Sequence, residues 1–328
     1  MDTLKIAAID LGTVSSRLMC AEIRDGAIIN SSKRTVITDL GEGVDANGVF
    51  APAAIERVVA ACSEFVQEAR AFGAEYVCTT LTSAARDVSN GEDLLERLRE
   101  LGLVPQVISG ETEARLTFYG VAHDFRGERI AVADSGGGST ELVEGSYGTS
   151  GLLELERACS LNVGCRRVTE RFFSAQPPRE DEVAAAAVWA REQFESVWEA
   201  GASRPDRLVA VGGTVTSLVA MVHELAVYDS HFVHLRELTS GQVDGCIERM
   251  SALTVDEIAT LPGIQAKRAP VILAGAVIVR ELMRAGGYSA LTVSENSLLA
   301  GAASTVWEAV RDGRTAIGWT PELSSCLA

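Results

Sequence analysis

Two turns that contain glycine, each opened by an aspartate, are the parts of this sequence best suited to chemistry. The first reads Asp10-Leu-Gly-Thr and the second reads Asp134-Ser-Gly-Gly-Gly-Ser-Thr, 124 positions later (134 − 10). Glycine lets the backbone approach a ligand closely, and successive N–H groups in such a turn bind anions. An aspartate alone would repel phosphate, so a Mg²⁺ ion shared with phosphate oxygens explains the combination.

The alternative for each turn is a purely structural one, in which the aspartate caps backbone N–H groups. This reading suits the first turn well. It suits the second turn poorly, because its three consecutive glycines cost ordering entropy that a packing turn does not need.

Glu113 is the clearest single candidate for a catalytic base. It stands in the first turn of a predicted helix entered through Ser109-Gly110, where a carboxylate could take a proton from water attacking phosphorus. Alternatively, Glu111 and Glu113 only complement the positive end of the helix dipole. Spacing alone favours this second interpretation.

Two arginines near this segment also have two readings. Arg86 and Arg115 could clamp phosphate, or they could pair with Asp87 and Glu111. The spacing of these residues does not separate the two.

Several other kinds of site lack their sequence signatures. There is no Gly-Lys pair for a P-loop and no G-x-G-x-x-G after a strand. No G-x-S-x-G, H-E-x-x-H or local Cys-His signature supports nucleophilic or zinc hydrolysis. His231 and His234 are three apart, but no adjacent cysteine or further histidine completes a metal-binding set.

Each turn follows a predicted strand, and the repeated pattern indicates a domain-scale duplication. Predicted strands cover 4–11, 17–24, 75–79, 105–108, 129–134, 141–144, 152–156, 207–211 and 290–293, with a further strand after the Asp25-Gly26 hairpin signal. Predicted helices cover 52–72, 91–101, 166–173, 180–198 and 297–310, and others follow Ser109-Gly110 and Gly212-Gly213-Thr214. The order of elements predicts an α/β protein.

Length and composition fit two ordinary globular domains. The chain has 328 residues, 47% of them hydrophobic and 23% charged. A net charge of −16 disfavours nucleic acid and anionic membranes as partners, so a polyanionic substrate needs a local cationic site. The cations are mostly arginine, which suits phosphate, although a genome biased towards arginine codons gives the same ratio.

The remaining sequence features favour a cytoplasmic protein. The seven cysteines contain no C-x-x-C pair and lie mostly in apolar stretches, which is typical of reduced, buried thiols. The longest apolar run, 269–279, is too short to cross a bilayer, and Lys5 and Asp10 interrupt any signal-peptide core.

Several blocks of the sequence resemble one family across nearly the whole chain. They are Ala8-Ile-Asp-Leu-Gly-Thr with Ser15 and Arg17, Thr82-Ser-Ala-Ala-Arg-Asp, Ile108-Ser-Gly-Glu-Thr-Glu-Ala-Arg-Leu, Asp134-Ser-Gly-Gly-Gly-Ser-Thr-Glu-Leu, Ser160-Leu-Asn-Val-Gly, Val211-Gly-Gly-Thr-Val-Thr, and Leu261-Pro-Gly with Lys267-Arg-Ala and Ala274-Gly-Ala. The family is that of the exopolyphosphatases and guanosine pentaphosphate phosphatases, within the actin, sugar-kinase and Hsp70 superfamily. The third block distinguishes it from the ATP-dependent kinases of that superfamily.

The resemblance implies a two-lobed, actin-like (ribonuclease H-like) α/β fold with a cleft between duplicated mixed-sheet domains. It implies an N-terminal lobe over 1–125, a C-terminal lobe over 126–311 and a tail over 312–328, and it leaves as an alternative that the final helix, over about 297–310, packs back on the first lobe. It also implies Mg²⁺-assisted release of terminal phosphate from inorganic polyphosphate or guanosine pentaphosphate, and a homodimer of the short form.

The resemblance also assigns residues to roles. Glu113 would activate water, and Arg86 would stabilise the developing charge. The expected metal ligands are Asp10, Asp134 and Glu141. The expected phosphate-binding residues are Gly12, Thr13, Ser15, Arg17, Gly136, Gly137, Gly138, Ser139 and Thr140, while Lys267 and Arg268 either face the polyphosphate path or form structural ion pairs.

Departures from the family pattern keep two other functions open. Thr13-Val14 replaces the usual Ser-Asn, Ser135 replaces an apolar residue, and Pro270 replaces an acid, while 297–301 also differs from the usual motif. Such changes would suit a polyphosphate or guanosine-nucleotide sensor that has lost turnover. A small-molecule kinase is the third hypothesis, and it would need an adenosine site near Gly212-Gly213-Thr214.

Overall fold

The computed structural model describes residues 3–198 and 203–325. In chain order the strands are β1 (Thr3–Leu11), β2 (Ser15–Arg24), β3 (Ala27–Ile37), β4 (Tyr76–Leu81), β5 (Pro105–Val107), β6 (Arg129–Ser135), β7 (Thr140–Tyr147), β8 (Leu153–Leu161), β9 (Arg207–Val211), β10 (Arg236–Thr239), β11 (Ala290–Val293) and β12 (Leu323–Ser325).

The helices are α1 (Val44–Asn47), α2 (Pro52–Phe72), α3 (Ser83–Arg86), α4 (Gly91–Glu100), α5 (Gly110–Ala122), α6 (Cys165–Phe172), α7 (Glu180–Glu195), α8 (Gly213–Val222), α9 (Ser230–Val233), α10 (Ser240–Ser251), α11 (Val255–Ile258), α12 (Ala269–Gly286) and α13 (Leu298–Asp312). None of the helices in the described ranges combines the length and the apolar character needed to cross a membrane.

The chain divides into two compact units. The first comprises Met1–Gly127, Ser146–Leu155 and Ser297–Ala328, and the second comprises Glu128–Gly145 and Glu156–Asn296. Each is built on a six-stranded sheet that mixes parallel and antiparallel neighbours. The predicted duplicated, mixed-sheet α/β class is therefore confirmed.

The sheet of the first unit has the order β12-β4-β1-β2-β3, with β5 beside β4. The hairpin between β2 and β3 turns at Asp25 and Gly26, whose φ angles of 51° and 79° explain the residue choice, because both positions are left-handed. Strands β1, β4 and β5 are mutually parallel, so their carboxyl ends lie at one edge of the sheet. Helix α2 packs its apolar face, including Phe65 and Val58, on this sheet.

Helix α13 completes the first unit by packing closely against α5 and β1. Two glycines make the helix contact possible. A Cβ at Gly120 would overlap the carbonyl oxygen of Ser297, and one at Gly301 would overlap the carbonyl oxygen of Leu116. The two backbones therefore lie in direct contact, and α5 cannot shift without α13.

The sheet of the second unit has the order β10-β11-β9-β6-β7-β8. Strands β6, β9 and β11 are parallel, and β10 pairs antiparallel with β11. The long apolar run noted in the sequence forms most of α12, which is buried along nearly its whole length because α6, α7 and α10 all pack on it.

The structure differs from the sequence-based expectations at the C-terminal end and in one loop. Residues 323–325 form β12, which pairs antiparallel with β4, where we expected an irregular tail. The contacts group 297–328 with the first unit, which is the alternative that the resemblance leaves for the final helix. Strand β10 was not predicted. Both strands are short, and each exists through pairing with a strand distant in the sequence, which the local pattern does not show.

Candidate functional site

The first glycine turn joins β1 to β2 and is closed by one hydrogen bond. The Gly12 amide donates to the Ser15 carbonyl at 3.0 Å. Carbonyl oxygens of the turn are held by the segment that follows β3: Gly41 N–H donates to Thr13 at 2.8 Å, and Thr38 N–H donates to Val14 at 3.1 Å. The segment after β3 thus holds the first turn in place by hydrogen bonds to two of its carbonyl oxygens.

Asp10 and Arg17 form an ion pair at the base of this turn. The strands place Asp10 directly opposite Arg17, and Arg17 donates to Asp10 Oδ2 from Nη2 at 2.6 Å and from Nε at 2.9 Å. The Asp10 side chain is only 1% exposed, and its Oδ1 is buried with no hydrogen-bond partner in the described chain. Arg17, which we expected to bind phosphate, neutralises Asp10 in this structure, and Oδ1 keeps its acceptor capacity.

Glu113 is buried and paired with Arg86. Its side chain lies in the first turn of α5, whose entry is capped by the Ser109 hydroxyl accepting from the Thr112 amide at 3.1 Å. Arg86 Nη1 donates to Glu113 Oε2 at 2.9 Å and to the Ile108 carbonyl at 2.9 Å. Glu113 is only 7% exposed, whereas a carboxylate that merely complements the helix dipole would be expected at the surface.

The neighbouring Glu111 follows the structural interpretation instead. It is exposed and accepts from Arg115 Nη2 at 2.6 Å, one helical turn away. Of the two acids in this helical turn, the structure thus distinguishes a surface residue, Glu111, from an enclosed one, Glu113.

The expected site residues of the first unit gather at one sheet edge. The carboxyl ends of β1, β4 and β5 lie together, and Gly12, α3 with Arg86, and the start of α5 with Glu113 follow those three strands. Ligands of open α/β sheets bind outside the carboxyl ends of parallel strands. The structure therefore brings Asp10, Arg86 and Glu113 to the same edge.

The second glycine turn repeats the closure of the first. The Gly136 amide donates to the Ser139 carbonyl at 2.9 Å, which matches the Gly12 to Ser15 bond in both spacing and direction. The duplication inferred from sequence therefore extends to the hydrogen bonding of the two turns.

The acids of the second unit are buried beside its turn. Glu141 Oε1 accepts from the hydroxyls of Ser139 and Ser160, each at 2.7 Å, and the Thr140 hydroxyl donates to the Val163 carbonyl at 2.6 Å. Asp134 is the penultimate residue of β6 and lies opposite Val211. These bonds fix Ser139 and Thr140 through their side chains, so in this structure their hydroxyls support the turn.

Gly212 and Gly213 bring the start of α8 close to Asp134. Gly212 has φ 99°, and a Cβ there would lie 3.0 Å from Asp134 Oδ1. A Cβ at Gly213 would overlap the guanidinium of Arg268, which is 8% exposed. Arg268 thus covers the face of the Gly-Gly turn at which a kinase would need its adenosine site.

Each unit, taken by itself, carries buried carboxylates of the kind that a magnesium ion arriving with phosphate takes as ligands. Asp10 Oδ1 in the first unit is a buried acceptor without a hydrogen-bond partner in the described chain, and Asp134 and Glu141 are buried carboxylates of the second unit. Within the described ranges no three His, Cys, Asp or Glu side chains cluster as a ready-made metal cage. Mg²⁺ commonly uses one or two carboxylates together with substrate phosphate, so these residues suit it.

The other candidate groups do not form a second centre. His234 Nδ1 accepts from the Glu295 amide at 3.2 Å, which is a structural role. The six cysteines in the described ranges are free thiols, and burial raises the pKa of Cys62 and Cys78 to about 12. Cys326 lies outside the described residues.

Sequence reasoning missed the part that Arg167 plays at the second turn. Its Nε donates to the Gly138 carbonyl at 3.0 Å from the first turn of α6. The available signal was weak: a predicted helix beginning directly after the Ser160-Leu-Asn-Val-Gly block.

Comparison with known proteins points the same way as the geometry. The model of the Ppx/GppA phosphatase family matches residues 19–303. The chain is 34% identical over 320 residues to Exopolyphosphatase 2 of Mycobacterium tuberculosis, covering 92% of this chain and 98% of that protein. It is 30% identical over 324 residues to Exopolyphosphatase 1 of Mycobacterium bovis, covering 96% of this chain and 91% of that protein.

Solved structures are similar over almost the whole chain. A Ppx/GppA family member from Aquifex aeolicus superposes with a TM-score of 0.77 at 32% identity, covering 96% of this chain and 100% of that one. An exopolyphosphatase from Cytophaga hutchinsonii superposes with a TM-score of 0.81 at 24% identity, covering 95% of this chain and 99% of that one. At this identity the second similarity supports the fold alone.

Proposed function

This chain belongs to the Ppx/GppA phosphatase family and is therefore a hydrolase, and from that premise we propose that it removes terminal phosphate from inorganic polyphosphate. The observation that carries the proposal is the enclosed Glu113 carboxylate, paired with Arg86 at the sheet edge that also bears Asp10. A general base must be held in a fixed position, and an enclosed carboxylate paired with an arginine meets this need better than an exposed acid that only complements the helix dipole.

In the proposed reaction Glu113 takes a proton from water on a carboxylate oxygen. The water oxygen bonds to the terminal phosphorus, the bridging P–O bond breaks, and the shortened polyphosphate leaves with the bond's electron pair. Arg86 holds Oε2 at 2.9 Å and is itself held by the Ile108 carbonyl, so the base is oriented before substrate binds.

Charge on the phosphoryl oxygens is met by backbone amides. The amides of Gly137, Gly138 and Ser139 in the second turn and of Thr13 and Val14 in the first are the proposed donors, since the neighbouring glycines leave them accessible. When bound, Mg²⁺ would neutralise phosphate oxygens, and Asp10, Asp134 and Glu141 are the carboxylates that would hold it.

Substrate choice needs a direct comparison. Phosphate release is to be measured from tripolyphosphate, long-chain polyphosphate and guanosine pentaphosphate, each with and without Mg²⁺. We expect turnover of at least one polyphosphate and dependence on the metal. Purified protein that binds these compounds tightly without steady phosphate release would overturn the proposal and leave the sensor function.

The sensor hypothesis has one observation in its favour. Val14 occupies the first turn with its side chain buried, where the resembling family usually has asparagine, so no side-chain amide reaches a ligand there. The Val14→Asn variant separates the two functions: a catalytic turn should tolerate or gain from the change, while a sensor should remain without turnover. Light scattering of the same preparations tests the expected homodimer.

The kinase hypothesis is disfavoured by Arg268. Its guanidinium lies against Gly213 and is almost completely enclosed, so a nucleoside at this turn would have to displace it. ATP consumption that depends on a small-molecule cosubstrate is the result that would support the kinase hypothesis instead.

A further inference from the structure

All three glycine carbonyls of the second turn are bound by donors from the start of α6. The Cys165 amide donates to Gly136 at 3.0 Å, and the Arg166 amide donates to Gly137 at 2.9 Å. The Arg167 side chain completes the set through its Nε bond of 3.0 Å to Gly138. The helix thereby satisfies its otherwise unpaired N-terminal amides with turn carbonyls.

These carbonyl bonds dictate where the turn amides point. In a trans peptide the C=O of one residue and the N–H of the next are antiparallel. Carbonyls directed at α6 therefore direct the N–H groups of Gly137, Gly138 and Ser139 away from it. In the described chain no backbone acceptor takes the Gly137 or Gly138 amide. The result is a row of oriented donors, which is the geometry that binds an anion.

Gly164 is what allows α6 to come so near. A Cβ at this position would overlap the carbonyl of Gly137 and the amide nitrogen of Gly138. Only glycine therefore lets the Gly137–Gly138 peptide lie directly against the backbone at position 164. Two of the three carbonyls are bound by main-chain amides, which a change of side chain other than to proline leaves in place. The third, Gly138, is bound by a side chain, so its orientation depends on one residue.

We propose that Arg167 is a positioning residue, which fixes the Gly138–Ser139 peptide so that the Ser139 amide faces the phosphate of the substrate. It acts through the turn and not by touching substrate. This inference rests on the proposed function in one respect, that the second turn binds phosphate. Without the Nε bond the Gly138 carbonyl loses this anchor, and the peptide that carries the Ser139 amide can rotate.

The test compares two arginines of the same helix. Arg167→Met removes the donor, while Arg171→Met is the matched control, because Arg171 lies over the Trp189 ring at 4.9 Å and makes no contact with the turn. Arg167→Lys restores a single donor. For each variant kcat and KM for tripolyphosphate are measured, together with tripolyphosphate affinity by calorimetry in a Glu113→Gln background.

We expect Arg167→Met to lower kcat/KM by about tenfold or more, since losing one oriented oxyanion donor costs about 10²–10³-fold in known cases. Tripolyphosphate affinity should weaken in parallel, Arg167→Lys should recover part of both, and Arg171→Met should stay within about twofold of the parent. A purely structural role predicts instead a lower thermal midpoint and a smaller active fraction with unchanged KM and affinity.

That structural pattern, or full activity in Arg167→Met, would overturn the inference. Failure of the proposed function looks different, because the unmodified protein would then release no phosphate. In that case the calorimetric comparison still decides the matter: loss of tripolyphosphate binding in Arg167→Met alone supports the positioning role, and equal binding in all variants refutes it.

Discussion

Replacing Glu113 by glutamine is the most informative single perturbation of this protein. The change keeps the shape of the side chain and an oxygen that can accept from Arg86, which also retains its 2.9 Å bond to the Ile108 carbonyl. The fold should survive, with a change in unfolding free energy of about 1–2 kcal/mol for a weakened, charge-assisted bond. The proton acceptor, however, is gone.

The two interpretations of Glu113 predict very different rates. A positioned general base contributes about 10²–10⁴-fold, which is about 2.7–5.4 kcal/mol of activation free energy. A carboxylate that only complements the helix dipole contributes about 0.3–1 kcal/mol to stability and nothing to the rate. The gap is wide enough for one phosphate-release assay, with kcat measured at saturating tripolyphosphate, to decide.

Glu111→Gln is the matched control for this experiment. It makes the same chemical change in the same helical turn, but at an exposed residue paired with Arg115. We expect its kcat to stay within about twofold of the unmodified protein, as for other surface substitutions. If Glu113→Gln loses less than tenfold, or if both variants lose activity equally, Glu113 is not the base.

Three further predictions concern the scaffold. Glu281→Gln should cost about 3–5 kcal/mol in urea unfolding, because this 0% exposed carboxylate faces three arginines, and an unchanged midpoint would contradict that account. Gly301→Ala should lower the thermal midpoint and also kcat, since its Cβ overlaps the Leu116 carbonyl of α5; normal activity would show that α5 does not hold Glu113 in place. Burial lowers the pKa of His123 to about 4, so the unfolded chain binds the extra proton and stability should fall by at most about 3 kcal/mol from pH 6.5 to pH 4. His123→Phe should flatten that slope in urea titrations at several pH values, and an unaltered slope would assign it to other groups.

The parts of the fold that sequence reasoning found are those with local causes. The Asp25-Gly26 hairpin follows from two residues that accept positive φ, and α2 follows from helical spacing between Pro52 and the left-handed Gly73. Strands β10 and β12 could not be found, because they exist only through pairing with β11 and β4.

In the candidate site, too, the features with local causes could be predicted and those that depend on tertiary contacts could not. The glycine turns and Glu113 could be named because their residue types and spacing imply chemistry. The residues that these side chains contact could not be predicted, because the contacts join segments distant in the sequence. Arg86 contacts Glu113 across 27 positions, and Arg268 contacts Gly213 across 55 (268 − 213). Burial, which distinguishes Glu113 from Glu111, is likewise a property of the packed unit and not of the helix.

The interlocked glycines of α5 and α13 also bear on how the protein is made. The two helices lie about 180 positions apart, with the whole second unit encoded between them. A chain growing from its N-terminus can therefore assemble the second unit while α5 still lacks the surface that supports it. The unit that carries Glu113 is therefore incomplete until residues 298–312 have been synthesised and have docked on α5, so the capacity to hydrolyse should not precede them.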